Sequence, residues 1–303
     1  MIRGWCPTVH APMPSGDGLL ARVKPFGGQL PAAAIAALAN AAASYGNGTI
    51  ELTGRGNIQV RGIHDPAAFA RAMVTAGLAD ADPEREARRN VTTVPPTDDA
   101  LVLDAEAVLA DTPGLPPKFN VIVHGGEIHV GSDIVRSAGE LRRLLAHTSP
   151  PLSQWEMPPP PGQARGEGPS DAVGLHLLYL PFGQTDAATL ATLTADVRTT
   201  PWRAFLSPVR ARGFLDQPSP IVACPGKPAC ASGTVPARTD AATLQAAGFK
   251  HIHVSGCAKG CAYPTAARTL VGRNGRYDLV RSGRASDRPD LSDLTLAEVM
   301  VAL

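Results

Sequence analysis

The chain repeats itself. Gly18–Gly27 reads GLLARVKPFG and Gly174–Gly183 reads GLHLLYLPFG, each an apolar strand closed by Pro-Phe-Gly. An alanine-rich stretch of helical period follows each, Pro31 to Ser44 and Ala187 to Val197, and then a second strand with a basic tail. The first copy continues as Thr49–Ile63, TIELTGRGNIQVRGI, and the second as Ala204–Phe214, AFLSPVRARGF. A repeated strand–helix–strand unit constrains the fold more than local propensity does, because each copy offers a matching surface for the other. The two halves are expected to pair across a pseudo-twofold axis into one sheet. The rest is duplicated more weakly. Asn90–Pro95 and Ile221–Pro225 are followed by helical stretches, Leu101 to Asp111 and Ala241 to Gly248. Hairpins then span Asn120–Val130 and Thr269–Val280, with Gly125-Gly126 and Asn274-Gly275 as turn signals. Ser149 to Ser170, rich in proline and glycine, reads as the linker between copies. The fold class expected is α+β.

Only the second copy carries two cysteine pairs, Cys224 with Cys230 in ACPGKPAC and Cys257 with Cys261 in SGCAKGCAYP. Four thiolates suit zinc or an iron–sulfur cluster. Structural zinc favours short, like-spaced pairs. Gaps of five and three residues fit a [4Fe–4S] cubane better, with one loop wrapping an edge and Cys257 and Cys261 on one face of a helical turn. The glycines let backbone N–H groups approach the sulfurs, and Lys227 and Lys259 offset negative charge. Two disulfides would need an oxidising compartment, for which the sequence gives no sign. A zinc-bound structural protein stays open on the residues alone. The fifth cysteine, Cys6, reads as a small buried residue.

With 303 residues the chain has length for one large or two modest domains, and with aromatics at 5 % its core must be filled by alanine, valine and leucine. Its formal net charge of +1 gives no field that would recruit nucleic acid or a membrane surface. No apolar run reaches membrane-spanning length, and MIRGWCPTVH lacks the apolar stretch of a signal peptide. Reduced thiols and these absences point to the cytoplasm.

With the duplication and the Cys-x5-Cys and Cys-x3-Cys pairs in the second copy, the sequence resembles the sirohaem-type nitrite and sulfite reductase superfamily. Within it, the chain is most similar to the family of precorrin-3B synthases. The resemblance is carried by Cys6-Pro7 through Pro12-Met13 to Gly16-Asp17-Gly18-Leu19-Leu20-Ala21-Arg22, and by Leu115-Pro116-Pro117-Lys118-Phe119-Asn120. It implies a duplicated nitrite/sulfite reductase-like architecture with these parts: a ferredoxin-like half-domain over 1–66, an α+β unit over 67–150, a linker over 151–173, a second half-domain over 174–216, and a [4Fe–4S]-binding unit over 217–303. It implies an oxidoreductase, a monooxygenase of aerobic cobalamin synthesis. That enzyme uses O2 and reducing equivalents to hydroxylate precorrin-3A at C20 and to close a γ-lactone. The implied cofactors are the [4Fe–4S] cluster and a mononuclear non-haem iron. The implied electron donor is an NADH-linked reductase or a ferredoxin-like protein.

A precorrin carries many carboxylates, so its site needs inward arginine and lysine. Arg22 and Lys24 alternate with apolar neighbours on a strand and share a face. Arg55, Asn57, Gln59 and Arg61 have period two and are expected to project from one side of a strand, similar to the reductases' tetrapyrrole-lining element. Arg88 and Arg89 resemble the reductases' anion-site arginine, and Lys118 one of their substrate lysines. The second lysine of the reductases' Lys-x-Lys is Asn120 here, which weakens a reductase reading. For the mononuclear iron, His251 and His253 are weak candidates on one strand face; His10, His124 and His129 sit in no recognised ligand motif. Two rival functions remain, a small sirohaem-dependent nitrite or sulfite reductase and an iron–sulfur electron-transfer module with no turnover of its own. The latter has no need of basic strand faces.

Overall fold

The computed structural model describes residues 6–116, 118–147 and 174–303. They form two compact units, one made of the chain up to Met13 with Leu19–Gln217, the other of Pro14–Gly18 with Pro218–Leu303. The expected linker, 151–173, lies outside the described residues.

After β1 (Met13–Ser15), the first copy runs β2 (Gly18–Val23), a 3-10 turn at Phe26–Gly28, β3 (Gln29–Leu30), α1 (Ala32–Tyr45), β4 (Thr49–Leu52) and β5 (Ile58–Ile63). Next come α2 (Pro66–Thr75), α3 (Pro83–Arg88), β6 (Val91–Thr97), α4 (Asp99–Asp111), β7 (Val121–Gly125), β8 (Glu127–Val130), β9 (Asp133–Val135) and α5 (Ala138–His147). The second copy repeats the opening as β10 (His176–Tyr179), a 3-10 turn at Pro181–Gly183, β11 (Gln184–Asp186), α6 (Ala187–Leu190), β12 (Val197–Thr199) and β13 (Ala204–Ser207).

The duplication holds, but the halves build two sheets and not one. One runs β1-β2-β5-β4-β11 and the other β10-β13-β12-β3. Each copy lends a short strand to the other's sheet: Gln184–Asp186 pairs with Thr49–Glu51, and Gln29–Leu30 pairs with Val197–Arg198. The cause is local. Gly27 and Gly28 have φ of 61° and 70°, and Phe182 and Gly183 have 51° and 73°. These left-handed residues turn the chain out of its own sheet at each Pro-Phe-Gly. The core between the layers is shared. Ala21, Val23, Ile50, Leu52, Ile58 and Val60 bury one sheet face against Ile35 and Leu38 of α1, and Leu178, Leu180 and Phe205 of the second copy join the same cluster.

The expected helix over Ala187–Val197 shortens to α6. Thr192 turns its hydroxyl onto Thr189 O at 2.7 Å, a local bond that competes with helix continuation, and Val197–Thr199 is taken into the sheet. The expected strand over Ala204–Phe214 stops at Ser207, where Pro208 offers no N–H and the Ser207 hydroxyl closes a turn on Val209. A third sheet, β6-β7-β8-β9, packs on α4 through Val102, Ala105, Val108 and Leu109.

The second unit holds β14 (Ile221–Ala223), α7 (Ala237–Ala246), β15 (Ile252–Ser255), β16 (Ala267–Arg273), β17 (Arg276–Gly283), β18 (Leu291–Leu294) and α8 (Leu296–Ala302). Its sheet runs in that strand order; β14, β15 and β16 are parallel and the rest antiparallel. The mixed α and β architecture agrees with the fold class read from the sequence.

Candidate functional site

Adjacent parallel strands carry the two cysteine pairs. Ala223 lies beside Val254, so the loops that leave the carboxyl ends of β14 and β15 start side by side, where α/β sheets bind their ligands. Cys224 opens the first loop, and its N–H donates to Val254 O at 3.1 Å. Gly256, just before Cys257, donates its N–H to Cys224 Sγ at 3.0 Å, and the Gly226 backbone donates there too. Close backbone packing makes this possible. A Cβ on Gly226 would lie 2.4 Å from Ala237 N, one on Gly233 2.8 Å from Gly226 C, and one on Gly272 2.7 Å from Gly256 O. Between Cys257 and Cys261 the chain makes turns and not a helical face, with Gly260 at φ 59°. The expected helical turn is corrected accordingly.

Among the described residues, no three His, Cys, Asp or Glu side chains close on a point that would hold a single metal ion. Cys230 and Cys257 nevertheless act on both Cys224 and Cys261. Burial pushes the Cys224 thiol up, with Cys230 and Cys257 adding to it and the two backbone N–H groups opposing. Cys261, open on one side, is also pushed up, first by its packed side, then by Cys257 and Cys230, while Lys259 pulls it down. A lone zinc ion draws its sulfurs to about 2.3 Å from one point. A cubane spreads four thiolates over the corners of a cage and accepts hydrogen bonds on sulfur. The N–H donors on Cys224 Sγ are of the kind that a cluster's thiolates accept. Lys227 and Lys259 are both exposed at these loops, and Lys259 also donates to Ser232 Oγ at 2.8 Å.

In the first unit the basic residues separate into two groups. Registers align Arg22 with Gln59, Gln59 with Glu51, and Glu51 with Gln184, a polar row on the sheet face opposite the core. Arg22 is half-buried, hydrogen-bonds Cys6 and lies in the field of Arg55, and burial lowers its pKa. Cys6 is thus half-buried beside a guanidinium, not fully buried as expected. Arg55 is exposed, at the turn before β5, and Lys118 is exposed. Asn57 is buried and, like Arg55, sits in the turn rather than in the strand, so the expected period-two row survives only at Gln59 and Arg61. The equivalent row in the second copy is Leu177, Leu206, Arg198 and Gln29. Leu206, Arg198 and Gln29 of this row line a cavity of about 270 Å³, and Arg198 is tied to Asp99 and Thr97. The first copy's row is polar at every position, whereas the second copy's is apolar at Leu177 and Leu206.

The second group turns inward. Arg61 is 3 % exposed and pairs with Glu51 at 3.3 Å. Lys24, 4 % exposed, donates to Glu86 O at 2.5 Å and Asn90 Oδ1 at 3.2 Å. Burial lowers the Lys24 pKa to about 8, against the pull of Glu86. Arg89 binds Glu86 Oε2 at 2.7 Å, Glu106 Oε2 at 3.1 Å and Lys24 O at 2.7 Å, and its guanidinium carbon stacks 3.7 Å over Phe26. Glu106 also accepts from Gly27 N at 3.0 Å, and burial raises its pKa to about 7, with Arg89 opposing. Arg88 is half-buried on Ala110 O at 2.8 Å. Lys24, Arg61 and Arg89 therefore hold the fold with their charged ends, and Arg89 clamps the first Pro-Phe-Gly turn. The sequence reading missed the acidic partners. Glu86 and Arg89 stand three apart, the one signal that could have found them. Asn120 is buried, accepting from Thr92 Oγ1 at 3.1 Å and donating to Val121 O at 3.1 Å.

The histidine candidates do not assemble. His251 lies outside β15, exposed, with φ 57°, whereas His253 is 1 % exposed inside the sheet, so the two do not share a strand face. His253 sits 5.9 Å from the Tyr263 ring. His10 reaches Asp80 O at 2.8 Å and His124 reaches Val94 O at 3.1 Å.

The Nitrite/Sulfite reductase ferredoxin-like half domain matches residues 11–70. The chain is 28% identical to a precorrin-3B synthase of Sinorhizobium sp across 95% of its own length and 85% of that protein's. The structure of the Mycobacterium tuberculosis NirA protein superposes with a TM-score of 0.56 at 15% identity, covering 93% of this chain and 79% of NirA. The architecture is therefore nitrite/sulfite reductase-like, and the resemblance to a precorrin-3B synthase runs nearly end to end. No described helix is long and apolar enough to cross a membrane.

Proposed function

We propose that the chain is a precorrin-3B synthase, an oxidoreductase that uses O2 and an electron donor to hydroxylate precorrin-3A at C20 and to close a γ-lactone. The observation that carries this reading is the similarity across 95% of the chain to a protein of that name, which takes in both the polar sheet face and the cysteine loops. Cys224, Cys230, Cys257 and Cys261 would hold a [4Fe–4S] cluster. When bound, such a cluster supplies single electrons. Gly226 and Gly256 keep N–H dipoles on Cys224 Sγ, which favours the reduced, more negative state.

Of the candidates on the first unit, Lys24, Arg61 and Arg89 are buried and Arg88 holds Ala110 O, which leaves Arg22 and Gln59, half-buried, and Arg55 and Lys118, exposed. They would take the substrate's carboxylates, arginine in paired hydrogen bonds and lysine as a point charge. The sirohaem reductase reading is less favoured, because Asn120 is committed to Thr92 and Val121 and Arg89 to two glutamates. A small oxyanion needs such cations turned toward it. The donor is proposed to be an NADH-linked reductase or a ferredoxin-like protein, and the compartment the cytoplasm. No ligand set is proposed for a mononuclear iron.

The test is anoxic purification with iron and sulfide quantification, then incubation with precorrin-3A and isotopically labelled O2. Label in a lactone product is expected. Sirohaem bands in the purified protein, or a chain free of iron with no affinity for the tetrapyrrole, would overturn the assignment.

A further inference from the structure

The hairpin tip Pro14–Gly18 is folded into the second unit, far in sequence from the loop that it touches. Gly16 N donates to Ala229 O at 3.2 Å, and Ser15 Oγ donates to the same carbonyl at 2.6 Å. Ala229 immediately precedes Cys230, so both bonds end one peptide from a candidate ligand. The approach is closer than any side chain allows. A Cβ at Gly16 would stand 1.9 Å from Pro228 O, 3.1 Å from Pro228 C and 3.2 Å from Ala229 C. These are backbone atoms, which cannot swing aside as the end of a long side chain can. Gly16 is not among the glycines of positive φ, so glycine is required there by contact and not by conformation. The loop's own tethers lie to either side of Pro228 and Ala229: Lys227 N to Val235 O at 2.8 Å, Cys230 N to Gly226 O at 2.7 Å and Gly233 N to Cys230 O at 2.9 Å.

We propose that Ser15 and Gly16 are positioning residues for the Cys224–Cys230 loop. By fixing the Ala229 carbonyl they set the direction in which Cys230 presents its sulfur. The inference rests on the cluster reading above, and two readouts separate its failure from that of the reading. Anoxically purified wild type, Ser15→Ala, Ser15→Thr and Gly16→Ala are compared for iron and sulfide per chain, for the spectrum of the reduced cluster, and for the rate of iron loss to a chelator. Iron is expected to leave Ser15→Ala about fivefold faster than wild type, the factor given by one lost hydrogen bond of ordinary strength. Gly16→Ala is expected to be worse, and Ser15→Thr, which keeps the hydroxyl, to be near wild type. Loss at the wild-type rate from Ser15→Ala would overturn the proposal. The second readout is amide hydrogen exchange in the cluster-free chain. Faster exchange in the Cys224–Cys230 loop of Ser15→Ala and Gly16→Ala, with the β16–β17 hairpin unchanged, supports the positioning role even if the wild type carries no iron. Unchanged exchange in both variants overturns it.

Discussion

Arg89 directs its guanidinium wholly into the protein, toward Glu86, Glu106, the Lys24 carbonyl and the face of Phe26. Removing it would leave the buried Glu86 and Glu106 carboxylates without their guanidinium, with only the N–H groups of Asp80 and Gly27 still bonded to them, a loss of roughly 3–5 kcal/mol. Arg89→Ala should therefore register in a urea unfolding curve and not first in a binding assay. The same cluster sets a pH dependence. Glu106 has a folded pKa of about 7, above its ordinary 4.5, so the native state holds its proton over a range where the unfolded chain has released it. Its contribution is fully present below about pH 4.5 and falls until about pH 7. Glu106→Gln should flatten unfolding free energy against pH in that window, and an unchanged slope would place the titration elsewhere. Lys24, lowered to about 8, acts in the opposite sense, its part of the stability growing from about pH 8 toward 10.5. Arg55 and Lys118 stay exposed. Arg55→Ala and Lys118→Ala should each weaken tetrapyrrole binding by roughly 1.5–3 kcal/mol, followed by absorbance titration, while leaving the unfolding midpoint in place.

The loops after β14 and β15 show what glycine does at the scale of an element. Gly226 needs glycine twice over, for its φ of 65° and for the 2.4 Å that a Cβ would leave to Ala237 N. Gly275, in the β16–β17 turn, has φ 83° and nothing within 4 Å of its would-be Cβ. Gly275→Ala should cost only the left-handed penalty of about 1–2 kcal/mol. Gly226→Ala should cost that and the clash, seen as a lower melting temperature and faster thiol labelling at Cys224. Equal losses in the two variants would remove the packing argument. Much of this was legible beforehand. Asn274-Gly275 gave its hairpin, and the helical period gave α1 and α4, because turn chemistry and amphipathic spacing are written locally. The exchange of β3 and β11 was not legible. A two-residue strand has no period of its own, and where it pairs depends on the distant edge that the left-handed Pro-Phe-Gly turn aims it at. The inward turn of Lys24 and Arg89 was hidden for a related reason. A sequence shows a cation but not the acid that folding brings to it, as with Lys24 and Glu86.

At the level of the whole molecule, the shared core ties the copies together. Leu178, Leu180 and Phe205 pack in one cluster with Val23, Ile35 and Ile58, and Asp196 of the second copy accepts the N–H of Ala32 at the start of α1 at 2.9 Å. Asp196→Ala should lose about 1 kcal/mol, the worth of a helix cap, and should slow no step that depends on the cysteine loops. A fragment ending at His147 should stay largely unfolded by circular dichroism and should fold when mixed with one beginning at Gly174. Independent folding of the first fragment would mean that the borrowed strand is dispensable. The reciprocal loan of β3 and β11 bears on synthesis as well. While the ribosome is still adding the second copy, β4 offers an open edge that waits for Gln184–Asp186, roughly 130 residues downstream. A nascent chain with such an edge is prone to pair with its neighbours on the polysome, so yield in a cell should depend on translation speed and on holdase chaperones more than on the stability of the finished protein.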